Sequence, residues 1–140
     1  MVQYTVHPTT GFVYGSEPGD YRAKYNLLAT ISDSVAPLRK LPFKQFNQIA
    51  VVCEPEEWQK RFDSRSAEMD KADIGKRLHE AGQSLAWSLG QEKIHWVVNT
   101  QDRLSDAAQD IIEIARQNSE PYSIGQQTAL NLQTYLDFKH

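Results

Sequence analysis

Two short apolar runs organise the pattern of hydrophobic and polar positions in this chain. Residues 48–53 contain two β-branched valines and end before Pro55, and residues 94–99 form a second run beyond a stretch of helical periodicity. A short apolar run bounded by turn-forming residues is typical of a buried strand. Strands separated by helices can be joined by a crossover that makes them parallel neighbours. The pattern therefore predicts a central parallel strand pair, 48–53 and 94–99.

Apolar residues with helical spacing lie between the two runs and after the second run. Pro55 suits the first position of a helix, and Trp58 and Phe62, four residues apart, share one edge of it. A longer helix is predicted from about residue 70 to Leu89, before the C-terminal stop Gly90. The inward positions of the next helix are Ala108, Ile111, Ile112 and Ala115. A capping box at residues 123–126 predicts a last helix. We expect these side chains to be largely buried: Val51, Leu78, Leu85, Val97 and Ile111.

The N-terminal region shows a different periodicity. Val2, Tyr4 and Val6 alternate with polar residues, and a turn signal at 7–11 separates them from residues 12–14, which predicts a β-hairpin. Residues 20–36 favour a helix, with a strand over 27–31 as the alternative. Together these elements predict a single α/β domain over 1–140, layered around the parallel pair, with an N-terminal hairpin and flanking helices.

Composition narrows the class of protein. The chain is 40% hydrophobic and 24% charged, which is typical of a globular protein. Its one cysteine excludes an internal disulfide, and no apolar run approaches the ~20 residues of a membrane span. We therefore expect a soluble cytoplasmic protein without a membrane partner. The net charge is −3, and residues 51–140 carry ten Lys or Arg against fifteen Asp or Glu, which argues against a nucleic-acid surface there.

One basic segment invites a second interpretation. Arg39, Lys40 and Lys44 lie close to Phe43 and Phe46, so the cations could pair with phosphate while the rings stack on bases. The alternative is a connector whose phenylalanines pack inward while its cations stay in water. Pro37 before the segment and Pro42 within it favour the connector. Nucleic acid is therefore not an expected partner.

The carboxyl ends of the two central strands are the predicted place for a site. Ligands of parallel α/β sheets bind in a crevice at this edge. Cys53 could act there as a nucleophile, but Glu54 beside it would oppose the thiolate, and an ordinary buried cysteine is the alternative. The candidate ligand-binding residues are Cys53, Glu54, Asn99, Thr100 and Asp102. The sequence shows no catalytic triad, metal-ligand pair or glycine-rich phosphate loop, so no catalytic residue, metal or cofactor is predicted.

The C-terminal segment carries a family resemblance. Residues 127–139, Gln-Thr-Ala-Leu-Asn-Leu-Gln-Thr-Tyr-Leu-Asp-Phe-Lys, resemble a helix at the end of the non-catalytic N-terminal domain of leucyl (cytosol) aminopeptidases. The preceding order of strand, helix and strand is similar too. The resemblance implies a macro-domain-like α/β fold that helps assembly and has no peptidase activity. We therefore expect a non-catalytic module that binds a protein partner or self-associates. The alternative is a small enzyme or small-ligand-binding protein using the strand ends.

Overall fold

The structure, a computed structural model of the 140-residue chain, describes residues 3–6, 11–23, 26–30, 35–116 and 123–139. The chain divides into two compact units, Met1–Phe46 and Asn47–His140. The first unit contains β1 (Gln3–Val6), β2 (Val13–Ser16), a 3-10 helix (Pro18–Tyr21) and α1 (Val35–Leu38). The second contains β3 (Ile49–Val52), α2 (Pro55–Ser66), α3 (Lys71–Leu89), β4 (His95–Val98), a 3-10 helix (Gln101–Arg103), α4 (Leu104–Arg116) and α5 (Gln126–Asp137). The α/β class is confirmed, and the single domain stays a prediction.

The predicted N-terminal hairpin is confirmed. β1 pairs antiparallel with β2, and Val6 lies opposite Val13. Gly11, just before the return strand, has φ +68°, a left-handed conformation that costs glycine little and other residues more. β2 continues to Ser16, two residues beyond the predicted return strand at 12–14.

The segment after the hairpin differs from both expectations. Residues 26–30 form neither helix nor strand, and Leu27 is 85% exposed. Regular helix within 20–36 begins only at Val35, apart from the short 3-10 helix before it. The predicted helix and the alternative strand over 27–31 are therefore wrong for the described residues, while 24–25 and 31–34 lie outside them. Helical spacing alone does not form a helix, because most helical stability comes from packing an apolar face.

The parallel strand pair is confirmed. β3 pairs parallel with β4, with Ile49 aligned to His95 and Val52 to Val98. Asn99 N donates to Val52 O at 2.7 Å, so the ladder continues one residue beyond β4. Regular strand occupies only 49–52 and 95–98, a little less than the predicted runs.

Both faces of this sheet are covered by helices. Successive strand residues point to opposite faces, so Trp96 and Val97 belong to two different cores. The core facing α3 and α5 consists of Val52, Leu85, Ile94, Trp96, Ala129, Leu132 and Leu136. The core facing α4 consists of Val97, Ala107 and Ile114, with Ile49 and Ile111 against them. The second unit is therefore a three-layer arrangement in which β4 is buried on both sides.

The predicted core is right at the centre of the sheet and wrong at its margin. Leu85 and Val97 are buried as predicted, and Leu78 and Ile111 are partly buried. Val51 is 49% exposed, which contradicts its predicted burial. It lies on the edge strand of a two-stranded sheet, on the face that α4 covers chiefly over β4.

Helix α4 is rotated relative to the prediction. Ala107 and Ile114 are buried, whereas Ala108 is exposed and Ile112 is 42% exposed. Positions 107, 111 and 114 have the same helical spacing as the predicted stripe. The sequence pattern is therefore compatible with either of two apolar faces of α4. Contact with Val97 determines which of the two faces is buried.

Gly125 allows α5 to approach the sheet closely. The predicted capping box with Ser123 is wrong, because α5 begins at Gln126 after the N-cap Gly125, without a side-chain cap hydrogen bond. Gly125 N donates to Trp96 O at 3.1 Å, and a Cβ on this glycine would lie 3.0 Å from the Trp96 carbonyl carbon. That distance is tighter than most contacts of a Cβ atom, so a side chain here would require the Trp96 backbone to shift by a few tenths of an ångström, and the contact favours glycine.

We predict opposite effects of two glycine-to-alanine changes. Gly125→Ala should lower the free energy of unfolding by ~1–3 kcal/mol, because its Cβ would press on the Trp96 backbone. Gly82→Ala is the matched control within α3, where nothing lies within 4 Å of the added Cβ, and should raise stability by ~0.5–1 kcal/mol. Urea unfolding of both variants measures the difference. A Gly125→Ala chain as stable as wild type would contradict the close approach.

A second prediction tests the core. Leu85→Ala should cost ~2–5 kcal/mol of unfolding free energy, since this side chain is buried among α5 and β4 residues. Leu130→Ala, on the exposed side of α5 at 45% exposure, should change it by less than about 0.5 kcal/mol. Equal losses in the two variants would contradict the assignment of the core face.

Candidate functional site

The structure brings three of the predicted site residues side by side. Cys53 follows β3 and Asn99 follows β4, and parallel strands end at the same edge of a sheet. The hydrogen bond from Asn99 N to Val52 O holds the two strand ends together. Glu54 continues from Cys53 into the N-cap position of α2.

The other two predicted residues, Thr100 and Asp102, lie in the segment between β4 and α4. Thr100 precedes the 3-10 helix, and its carbonyl accepts from Arg103 N at 3.0 Å. Asp102 is exposed within that 3-10 helix. Among the described residues, no hydrogen bond or ion pair connects Asp102 with Cys53 or Glu54. The five residues therefore do not converge as one cluster of side chains.

Glu54 is engaged in holding two helices together. Its Oε1 accepts a hydrogen bond from Thr128 Oγ1 of α5 at 3.0 Å, and Thr128 is buried. Farther along the same helices, Tyr135 Oη donates to Gln59 Oε1 at 2.7 Å. These two bonds tether α2 to α5. Sequence reasoning missed Thr128, because nothing local marks a residue whose partner is 74 positions away.

Cys53 lies in surroundings that keep its thiol protonated. Burial raises the pKa of this thiol, Arg61 lowers it, and Glu57 and Glu54 raise it further. The Arg61 guanidinium is itself paired with Glu57 at 2.8 Å, which offsets its attraction for a thiolate. A neutral, buried thiol is a poor nucleophile. The interpretation of Cys53 as an ordinary buried cysteine therefore fits the structure better than a catalytic role.

Asn99 contributes the one unsatisfied polar atom among these residues. Its Oδ1 is buried and accepts no hydrogen bond from the part of the chain that the structure describes. Such an acceptor could receive an N–H or O–H group from a small ligand. The side chain as a whole is partly exposed, so it lies at the rim of the sheet edge rather than in its core.

A second feature of the sheet emerges from its hydrogen-bond pattern. His95 N donates to Gln48 O, and Asn99 N donates to Val52 O. In a parallel ladder only alternate residues of a strand face the neighbouring strand. With the observed register, Ala50 and Val52 turn their main-chain groups toward β4. The N–H and C=O groups of Ile49 and Val51 therefore point away from it.

The two outer edges of the sheet differ in the hydrogen bonds that cover them. On the β4 side, Trp96 O accepts from Gly125 N, so the turn before α5 covers that edge at Trp96. On the β3 side, β4 is the only strand neighbour within the described ranges, and no described hydrogen bond reaches the outward groups of Ile49 and Val51. Folded proteins commonly protect such an edge with lysine, proline or a bulge. Residues 47–53 contain no charge and no proline.

Apolar side chains are exposed on β3 and on α4. Val51 is 49% exposed, and Leu104 (55%) and Ile112 (42%) are exposed on α4, which covers the same face of the sheet. We call the outer edge of β3 together with Val51, Leu104 and Ile112 the β3–α4 surface. Sequence reasoning missed this surface, because it assigned Val51 and Ile112 to the core.

The basic segment lies in the first unit. Arg39, Lys40 and Lys44 are all exposed. Phe43 packs edge-on against the Tyr21 ring, with 5.6 Å between the ring centroids. A phenylalanine used in packing is what the connector interpretation predicts, and the absence of nucleic-acid binding stays a prediction.

Neither a metal-binding cluster nor a membrane-spanning helix is present among the described residues. Within 3–6, 11–23, 26–30, 35–116 and 123–139, no group of three or more His, Cys, Asp or Glu residues could hold a metal ion. Within the same ranges, none of the helices is long and apolar enough to cross a membrane.

Comparison with protein-family models, with curated proteins and with solved structures finds no match for this chain. The resemblance to the N-terminal domain of leucyl aminopeptidases therefore stays a prediction.

We predict that the thiol of Cys53 titrates above its value in the unfolded chain. Its pKa is raised in the folded state, so the unfolded chain loses the proton first, and this group's contribution to stability declines as the pH rises above the ordinary thiol pKa. Thiolate absorbance against pH, with and without denaturant, measures the two midpoints. A folded midpoint at or below the unfolded one would restore Cys53 as a candidate nucleophile.

Proposed function

We propose that this chain is a non-catalytic α/β module that binds a protein partner by adding a strand of the partner to the open edge of β3. The observation that supports this proposal is the outward-facing main chain of Ile49 and Val51, in a segment with no charge to repel a strand. Strand addition is a recurrent mode of peptide recognition, in which main-chain hydrogen bonds supply affinity.

Side chains of the β3–α4 surface would supply selectivity. Alternate residues of an added strand point to the face that carries Val51. An apolar partner residue at that position would cover Val51 and extend toward α4, where Leu104 and Ile112 are exposed. A partner with an extended segment of alternating apolar residues fits this arrangement best.

The rival proposal is a small-ligand site or enzyme at the strand ends. The buried, unpaired Oδ1 of Asn99 favours it. Against it, one oxygen of Glu54 is bonded to Thr128, and the raised pKa of Cys53 disfavours a thiolate. Because two of its main residues serve the packing of the fold, we propose the binding module first.

Two further expectations belong to this proposal. A role in protein binding or assembly agrees with what the resemblance to leucyl aminopeptidases implies. We also propose a cytoplasmic location, since the one cysteine is a free thiol and reducing compartments keep thiols in this form.

The test is selection of binding peptides from a displayed random library, followed by changes at the edge. We expect selected peptides to alternate apolar and polar residues and to lose binding when the amides that face β3 are N-methylated, because those donors are then removed. Val51→Lys should weaken binding at least about tenfold by placing a charge on the edge. Titration calorimetry measures the change.

The matched control is Val13→Lys, which changes a strand valine in the first unit that is 63% exposed, against 49% for Val51. It should leave peptide binding unchanged. Peptides that bind the Val51→Lys chain as tightly as wild type would show that the binding surface lies elsewhere.

A further inference from the structure

We infer that the strand added to β3 is β3 of a second copy of this chain, paired antiparallel across a two-fold axis. This inference rests on the proposed function and names its partner. It turns two two-stranded sheets into one four-stranded sheet in the order β4-β3-β3-β4. A two-fold contact requires a surface that is complementary to itself, and β3 meets this requirement in three respects.

The first respect is the spacing of hydrogen-bonding groups. An antiparallel neighbour forms its hydrogen bonds with alternate residues of a strand. The outward main-chain groups of β3 belong to Ile49 and Val51, which are two residues apart and so match this spacing. When Ala50 lies opposite Ala50 of the second copy, Ile49 lies opposite Val51 of that copy. In this register every outward N–H and C=O group of β3 pairs with a group of β3 in the second copy.

The second respect is the chemistry of the paired side chains. Directly opposite residues lie on the same face, so Ile49 would contact Val51 of the second copy, and such pairs of β-branched residues stabilise sheets. This contact would cover the exposed half of Val51. The third respect is charge: residues 47–53 contain none, so no like charges meet across the axis.

The helices provide the additional area that a stable dimer needs. A stable interface buries roughly 800 Å² on each partner, more than a four-residue strand supplies. An axis perpendicular to the sheet keeps α4 of both copies on the same face. α4 of each copy, on which Leu104 and Ile112 are exposed, then lies on the same face as the paired strands.

Sedimentation equilibrium over a concentration series tests the inference. We expect a monomer–dimer equilibrium for wild type and at least about tenfold weaker dimerisation for Val51→Lys, because the two new lysines lie diagonally across the axis. Val51 is half exposed, so this variant should stay folded. An equimolar mixture of Val51→Lys and Val51→Glu chains should recover the dimer through opposite charges. Val13→Lys should dimerise like wild type.

A cysteine at the axis tests the register. Ala50 would face its copy as a non-hydrogen-bonded pair with Cα atoms about 4.5 Å apart, within the range of a disulfide. Ala50→Cys should therefore cross-link under mild oxidation much faster than Ala108→Cys, an exposed position on α4. Wild type, whose Cys53 is buried, gives the baseline.

The contrary outcomes are distinct. A wild-type chain that stays monomeric overturns self-pairing, and binding of displayed peptides to that monomer would leave the proposed function standing. A dimer unaffected by Val51→Lys, or an Ala50→Cys chain that cross-links no faster than Ala108→Cys, overturns the β3 contact.

Discussion

A two-stranded parallel sheet exposes main-chain hydrogen-bonding groups along both outer edges, and the second unit of this chain depends on how these groups are satisfied. β4 is buried on both faces, and its outer edge is closed at Trp96 by the amide of Gly125. That closure favours a glycine, because a Cβ would lie only 3.0 Å from the Trp96 backbone. The position of α5, and with it the larger core, follows from this contact. The outer edge of β3 has no equivalent cover in the described residues.

The same constraint explains the roles of Glu54 and Cys53 at the strand ends. α5 must lie on the sheet next to α2, and the bonds from Thr128 to Glu54 and from Tyr135 to Gln59 fix that position. Glu54 therefore acts as a packing residue at the place where an α/β enzyme would use a reactive group. Cys53 is buried by the same packing, and its raised pKa is a consequence of this burial.

The sequence predicts what depends on local pattern and fails where tertiary contact decides. The parallel pair, the hairpin and the bounds of α3 follow from apolar runs and turn residues. In the structure Asp70 caps α3, accepting a hydrogen bond from Asp73 N at 2.8 Å. The rotation of α4 does not follow, since two apolar stripes have helical spacing. Val51 was assigned to the core because periodicity cannot show that a strand lies at an edge. The pairing of Glu54 with Thr128 is a contact between distant segments that no local signal carries.

An open, uncharged strand edge is a liability for a protein that works alone, because it can template association with other chains. Burying Val51 and Ile112 under an additional element, or placing a lysine in β3, would remove this liability at small cost. The chain does neither, and its other edge is covered at Trp96 by a close contact that favours glycine. The β4 edge is covered at Trp96, whereas the β3 edge has no cover among the described residues. We propose that the β3 edge is occupied when the protein functions. Occupation by an identical strand satisfies the hydrogen bonds of both copies at once, without requiring a partner of different sequence.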